Sequence, residues 1–312
     1  MKLALVFPGQ GSQSAGMLKS FAESKPVRDT FAEASDVLKQ DLWKLATDGP
    51  AEDLNSTVNT QPLMLTAGYA VFRAWREAQG MQPAIVAGHS LGEYTALVVA
   101  GALTFSDALP LVRFRAQAMQ EAVPLGTGAM AAVLGLDDDA VRSACLEAAQ
   151  DGIVEAVNFN APSQVVIAGH RVAVERAAEI AKARGAKRAV MLPVSAPFHS
   201  SLLQPAAQRL ERYLVSVAIN APQIPVVNNV DVTIVTEPQL IKDTLARQAC
   251  NPVRWVEVIR QMAHADVTHV AECGPGRVLA GFTKRIDGTL QGLAIADAVS
   301  LAQTLQTLQK AA

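Results

Sequence analysis

Cysteine, long apolar runs and surplus charge are all scarce in this chain, and each shortage excludes a class of function. Only three cysteines occur in 312 residues, Cys145, Cys250 and Cys273, scattered and never as C-x-x-C. Neither a disulfide framework nor a zinc site is expected from that pattern, which suits small buried apolar residues in a reducing compartment. No stretch approaches the roughly 18 uninterrupted apolar residues that a membrane span requires, and even the run at residues 96–103 is far shorter. The opening Met1 to Phe7 carries one lysine and a short apolar run that stops at Pro8-Gly9, too short for the apolar segment of a signal peptide. It reads as a buried first strand, in a soluble cytoplasmic protein. Lys and Arg total 27 against 29 Asp and Glu, a net charge of −2, so no broad basic surface invites nucleic acid, and the balance is compatible with a monomer. What is plentiful is apolar: 50% of residues against 18% charged describes a well-buried core, large enough for one big domain or two unequal ones.

Within that core-forming background, Gly88-His89-Ser90-Leu91-Gly92 stands out. It lies between the apolar run Ala84-Ile85-Val86-Ala87 and a helix-compatible run from Glu93, the context of a G-x-S-x-G nucleophile elbow. A sharp strand-to-helix turn lifts a serine hydroxyl clear of the backbone, and flanking glycines remove side chains that would clash. The same turn leaves the Leu91 amide at a helix N-terminus, where it can stabilise a developing oxyanion. The glycine-rich loop Pro8-Gly9-Gln10-Gly11-Ser12-Gln13 lacks G-x-G-x-x-G spacing, so a dinucleotide site is not expected.

Periodicity predicts helices at residues 27–45, 61–80 and 106–122, the last capped by Ser106 and Asp107, with a strand at 84–88. From Gly128 the predicted order is strand 129–135, helix 137–150, strands 154–158 and 164–168, helix 171–184 and strand 188–193. That β-α-β-β-α-β order is a ferredoxin-like unit. It sits as an insertion at residues 127–196 between two halves, 1–126 and 197–312, of a larger α/β domain. Later helices at 202–215, 239–248, 253–264 and from about 277, with strands at 225–228 and 268–272, predict a mainly parallel sheet.

A serine needs a base within hydrogen-bond reach. Of five histidines, His89 is next to Ser90 and points elsewhere as a structural hydrogen-bonder. His199 lies where the insertion returns to the main domain, so a cleft between them passes it; the competing reading is a capping or buried-loop histidine. No isolated Asp or Glu stands between Ser90 and His199 as a triad acid, which leaves room for a neutral group such as a carbonyl to orient the imidazole. Arg115 interrupts an otherwise apolar helix and could hold a carboxylate in its planar fork. In isolation a solvated arginine is the plainer reading of it, and Arg113 looks solvated too.

At this point the residues resemble the malonyl-CoA:acyl carrier protein transacylase family of bacterial type II fatty acid synthesis. The likeness runs through Phe7-Pro8-Gly9-Gln10-Gly11-Ser12-Gln13, Gly88 to Tyr94, Met119 to Pro124, Asn158-Phe159-Asn160, Val226-Val227-Asn228-Asn229 and Gly274-Pro275-Gly276. The resemblance implies an α/β-hydrolase-like core with a ferredoxin-like insert. It implies Ser90 as nucleophile, His199 as base, Arg115 as the clamp for the malonyl carboxylate, and an oxyanion hole from the amides of Leu91 and Gln10. It further implies that the main-chain carbonyl of Gln248 orients the histidine, that Asn160 and Phe198 belong to the substrate-binding set, and that no metal or redox cofactor is required. Related polyketide acyltransferases that take malonyl tend to carry Phe before the histidine, as Phe198 stands here. The partners implied are malonyl-CoA and acyl carrier protein. Carrier proteins of this pathway are acidic, which points to Lys182, Arg184, Lys187, Arg188, Lys284 and Arg285 as a docking patch, although each could equally be a solvated helix face. Two rivals stand beside this reading: a serine hydrolase or thioesterase on the same elbow, and a non-catalytic acyl-binding subunit.

Overall fold

The computed structural model describes residues 1–311. Five parallel strands form its larger sheet, in the order β7-β2-β1-β8-β9: β1 Leu3–Phe7, β2 Ile85–Gly88, β7 Val226–Val227, β8 His269–Cys273 and β9 Gln291–Ile295. Every residue of β1, β2 and β8 is buried, as expected for central strands covered by helices on both faces. The helix Thr57–Glu77 packs its apolar face on one side with Gly92–Val99 and Phe105–Glu121; Trp255–His264 and Val278–Ile286 fill the core on the other.

The second sheet is four-stranded and antiparallel, in the order β4-β5-β3-β6, from β3 Gly128–Leu134, β4 Val154–Ala161, β5 Gln164–His170 and β6 Arg188–Met191. The helices Asp138–Ala149 and Arg171–Ala183 cover one face of it and enclose their own small core. This strand order, with one helix in each crossover, is the ferredoxin-like arrangement that the sequence pattern predicted.

Several local expectations are corrected. The helix anticipated at 27–45 is two, Lys25–Leu38 and Leu42–Asp48, because Lys39 turns left-handed (φ 53°) and Asp41 caps the second at the Lys44 amide, 2.9 Å away. Thr104, not Ser106 or Asp107, caps Phe105–Glu121: its hydroxyl accepts from the Asp107 amide at 3.1 Å. β4 extends to Ala161 through two register shifts, beyond the expected end at 158. β9 and the helix Ala298–Ala311 were not anticipated. Arg113 is not simply solvated, since its Nη1 donates to the Leu38 carbonyl at 3.2 Å and its Nη2 to Gln40. Among the described residues, no helix is long and apolar enough to cross a membrane.

Candidate active site

β2 ends at Gly88 and the helix Gly92–Val99 begins four residues later, so the turn between them is forced tight. Ser90 sits in the left-handed region, φ 52°, a costly conformation for a residue with a Cβ. Three hydrogen bonds hold it there. The Ser90 amide donates to Asn229 Oδ1 at 2.7 Å, Asn229 Nδ2 donates to the Gly88 carbonyl at 2.8 Å, and Gln248 Nε2 donates to the Ser90 carbonyl at 3.0 Å. Gly92 is required by packing: a Cβ there would lie 2.1 Å from the Phe7 carbonyl oxygen at the end of β1. Gly9 likewise lets the 8–13 loop press on the elbow, where a Cβ would stand 2.5 Å from the His89 carbonyl oxygen. Gln10, the next residue, lines the same cavity as Ser90.

His199 reaches Ser90 from the other side of the cleft. Its Nε2 lies 2.7 Å from Ser90 Oγ and its Nδ1 lies 2.9 Å from the main-chain oxygen of Gln248. A carbonyl only accepts, so Nδ1 carries the hydrogen and Nε2 is left as the acceptor facing the serine hydroxyl. Burial, reinforced by the nearby Arg115 charge, pushes this imidazole from its ordinary 6.5 down to about 3. The imidazole is therefore neutral at physiological pH.

Arg115 is only 1% exposed, so the solvated reading fails. Its Nη1 donates to Gln61 Oε1 at 2.8 Å, and its Nη2 to Gln248 Oε1 at 2.8 Å and to Ser90 Oγ at 3.1 Å. All three acceptors are neutral. A buried cation satisfied only by amide and hydroxyl oxygens favours an anionic ligand, because a carboxylate supplies the charge that neutral dipoles do not. Burial lowers the guanidinium pKa, with Tyr94 and Glu93 opposing.

A cavity of about 500 Å³ joins these groups, bounded by Gln10, Ser90, Leu91, Arg115, Phe198 and His199. The amides of Gln10 and Leu91 take no hydrogen-bond partner among the described residues, as donors awaiting an oxyanion would be. Asn160 is not part of the cavity wall. Its Oδ1 lies 2.8 Å from His89 Nε2, and Asn158, two residues earlier on β4, lines the cavity instead. Gln248 sits behind the imidazole, fully buried. Its carbonyl is where the resemblance implied, but its side chain, which binds Ser90, Arg115 and Glu93, was missed. Gln61, Glu93 and Asn229 were missed as well. Asn229 stood in the Val-Val-Asn-Asn run and Glu93 directly after the elbow, so both carried a faint signal.

The anticipated docking cations are all exposed, and several are engaged. Lys182 pairs with Glu179 at 2.7 Å, Arg184 with Glu147, and Arg285 donates to Gln164 Oε1 at 2.7 Å, tying the insert to the core.

Comparison with known proteins matches residues 4–306 to the acyl transferase domain. The malonyl CoA-acyl carrier protein transacylase of Escherichia coli K12 is 54% identical over 306 residues, 98% of this chain and 99% of that protein. Among solved structures, an acyl-carrier-protein S-malonyltransferase from Burkholderia pseudomallei 1710b superimposes with a TM-score of 0.97 at 65% identity, covering 98% of this chain and 100% of that one. A malonyl-transacylase in complex with its type II polyketide acyl-carrier protein also gives a TM-score of 0.97, at 52% identity over 98% of this chain and 100% of that one.

Proposed function

The chain belongs to the acyl transferase domain family, and from that membership we propose that it moves the malonyl group of malonyl-CoA to the phosphopantetheine thiol of acyl carrier protein through a malonyl ester of Ser90. The observation that carries the reading is the meeting of three groups in one cavity. Ser90 Oγ stands 2.7 Å from a neutral imidazole nitrogen and 3.1 Å from a buried guanidinium.

In the first half-reaction, His199 Nε2 takes the Ser90 proton as Oγ attacks the thioester carbonyl carbon. The carbonyl oxygen becomes negative within reach of the free amides of Gln10 and Leu91. The tetrahedral intermediate collapses, the carbon–sulfur bond breaks, and the CoA sulfur leaves with the proton returned from Nε2. In the second, the carrier thiol gives its proton to Nε2 and attacks the ester, and Ser90 Oγ regains that proton as it leaves. A thioester is exchanged for a thioester, so the reaction is close to thermoneutral and no metal or redox group enters it. Gln248 stabilises the imidazolium with a main-chain carbonyl in the place where a hydrolase triad has its acid.

Arg115 supplies the selectivity for a dicarboxylic acyl group. When the malonyl carboxylate arrives, it takes the place of the Ser90 hydroxyl on the guanidinium fork while Gln61 and Gln248 keep the fork aimed, which fixes the acyl chain against Ser90 and reduces its freedom to meet water. The segments 1–126 and 197–312 furnish the reacting groups, and 127–196 forms the opposite wall with Asn158 and Met130. The same reading places the protein in the cytoplasm, as a monomer serving fatty acid synthesis.

Intact-protein mass spectrometry after mixing with malonyl-CoA tests it. Wild type gains one malonyl group and loses it on addition of holo carrier protein, while Ser90→Ala gains none. Adduct formation that survives Ser90→Ala, or free malonate released at the transfer rate without carrier, would overturn it, the second result favouring a thioesterase.

A further inference from the structure

Glu93 follows the second glycine of the elbow, is 2% exposed, and takes no part in the steps above. Its Oε2 accepts two hydrogen bonds, from the Asn229 amide at 3.0 Å and from Gln248 Nε2 at 2.8 Å. Each partner holds one half of the reacting constellation. Asn229 accepts from the Ser90 amide and donates to the Gly88 carbonyl, pinning the strained turn. Gln248 ties three groups at once: the Ser90 carbonyl through Nε2, Arg115 Nη2 through Oε1 and His199 Nδ1 through its main-chain oxygen. Both sets of contacts converge on a single carboxylate oxygen. Burial raises the Glu93 carboxyl from an ordinary 4.5 to about 7, against the opposing pull of Gln248, Asn229 and Arg115.

We propose that Glu93 is a positioning residue for the transfer reaction: by accepting from both Gln248 and Asn229 through one oxygen, it aims the Arg115 fork and locks the Ser90 turn in the same geometry. The inference rests on the malonyl-transfer reading of the site. It acts through hydrogen-bond acceptance and not through charge, because a carboxylate, a neutral carboxyl and a carboxamide all present an oxygen at that distance. Removing the acceptor frees the Gln248 carboxamide to rotate. Arg115 then loses its register with Ser90, which malonyl feels and acetyl, having no carboxylate, does not.

The test compares Glu93→Gln, Glu93→Asp and Glu93→Ala in the full chain, each checked for thermal unfolding, with single-turnover acylation by malonyl-CoA and acetyl-CoA. Glu93→Gln keeps an acceptor and is expected within about threefold of wild type on malonyl-CoA. Glu93→Asp withdraws the acceptor by one methylene while keeping the charge. Glu93→Asp and Glu93→Ala are expected to lose about 10- to 100-fold on malonyl, the scale of a one-ångström misplacement, and several-fold less on acetyl, so that the malonyl-to-acetyl ratio falls. A structural role alone lowers the unfolding temperature and slows both substrates equally. Equal losses on the two substrates, or a folded Glu93→Asp with wild-type malonylation, overturn the proposal. Wild-type acylation at Ser90 in the same experiment separates this failure from failure of the function itself.

Discussion

Lowering the pH from 8 to 5 distinguishes a buried, carbonyl-oriented base from an ordinary histidine. With its pKa at about 3, the His199 imidazole remains about 99% neutral at pH 5, whereas an unperturbed group at 6.5 is only about 3% neutral there. Second-order acylation, kcat/KM for malonyl-CoA, reports the free enzyme. It is expected to stay level within about twofold from pH 8 to 5, where a normal histidine base imposes a fall of about 30-fold. Single-turnover release of CoA, followed by a thiol reagent on quenched samples, measures it. A drop of tenfold or more with its midpoint near 6.5 refutes the reasoning, because it places the imidazole in water or beside a carboxylate. The same shift acts on stability. The folded protein binds fewer protons at His199 than the unfolded chain does, so this contribution is whole above pH 6.5 and is lost as pH falls through about 3. It is worth about 5 kcal/mol when complete. Glu93 and Glu272 have the opposite sign. Each is raised from 4.5 to about 7 by burial, so their contribution is whole below 4.5 and is lost as pH rises through 7.

Other perturbations separate the remaining parts of the account. Arg115→Ala should cut malonyl transfer at least about 100-fold, the order of a lost buried charge-assisted pair, and acetyl transfer far less; equal losses in paired assays dispose of the clamp. Gly92→Ala drives a Cβ to 2.1 Å from the Phe7 oxygen, so its urea midpoint should reveal a loss of about 3 kcal/mol, and an unchanged midpoint contradicts the close packing of elbow on β1. Phe198→Ser widens the cavity wall and should improve methylmalonyl relative to malonyl turnover by about 10-fold, the value of roughly one methyl group; competition between the two CoA esters reads the ratio directly. Reversing Lys187 and Lys284 to Glu should raise KM for carrier protein and flatten its salt dependence without touching acylation by malonyl-CoA, and an unaltered salt slope removes those residues from docking.

Elements that bury a regular pattern were legible before any coordinates. The elbow, the parallel strands β1, β2 and β8, and the β-α-β-β-α-β unit all follow from periodicity bounded by glycine and polar turns. β9 was missed because its sequence, Gln291-Gly-Leu-Ala-Ile295, has a glycine inside it and lies at an edge, where only one flank is paired. The break at Lys39 was missed because lysine gives no warning of a left-handed turn. In the site, Ser90 announced itself through local spacing, His199 through its place where the insert returns to the main domain and Arg115 as a cation in an apolar helix, but the clamp role of Arg115 and the whole of Gln248 depended on resemblance, since nothing in a single chain states that residues 49 to 133 positions apart will meet. Asn158 and Asn160 carry the same side chain two residues apart on β4, and nothing in the sequence says that the first lines the cavity while the second, within a register shift, meets His89. The Glu93 network was hidden for a different reason: a glutamate in the first turn of a helix is ordinary on any surface, and only burial makes it unusual.

Gln10, Gln61, Ser90, Arg115, His199 and Gln248 come from six separate stretches of chain, and the last of them emerges late in translation. A nascent polypeptide on the ribosome therefore exposes its serine long before the imidazole has anything to brace it. Until synthesis passes Gln248 and the β8 segment inserts beside β1, the contacts that brace the imidazole against the serine cannot all form. The contact between hydroxyl and imidazole is thus a property of the whole folded chain and not of the pentapeptide that carries the serine.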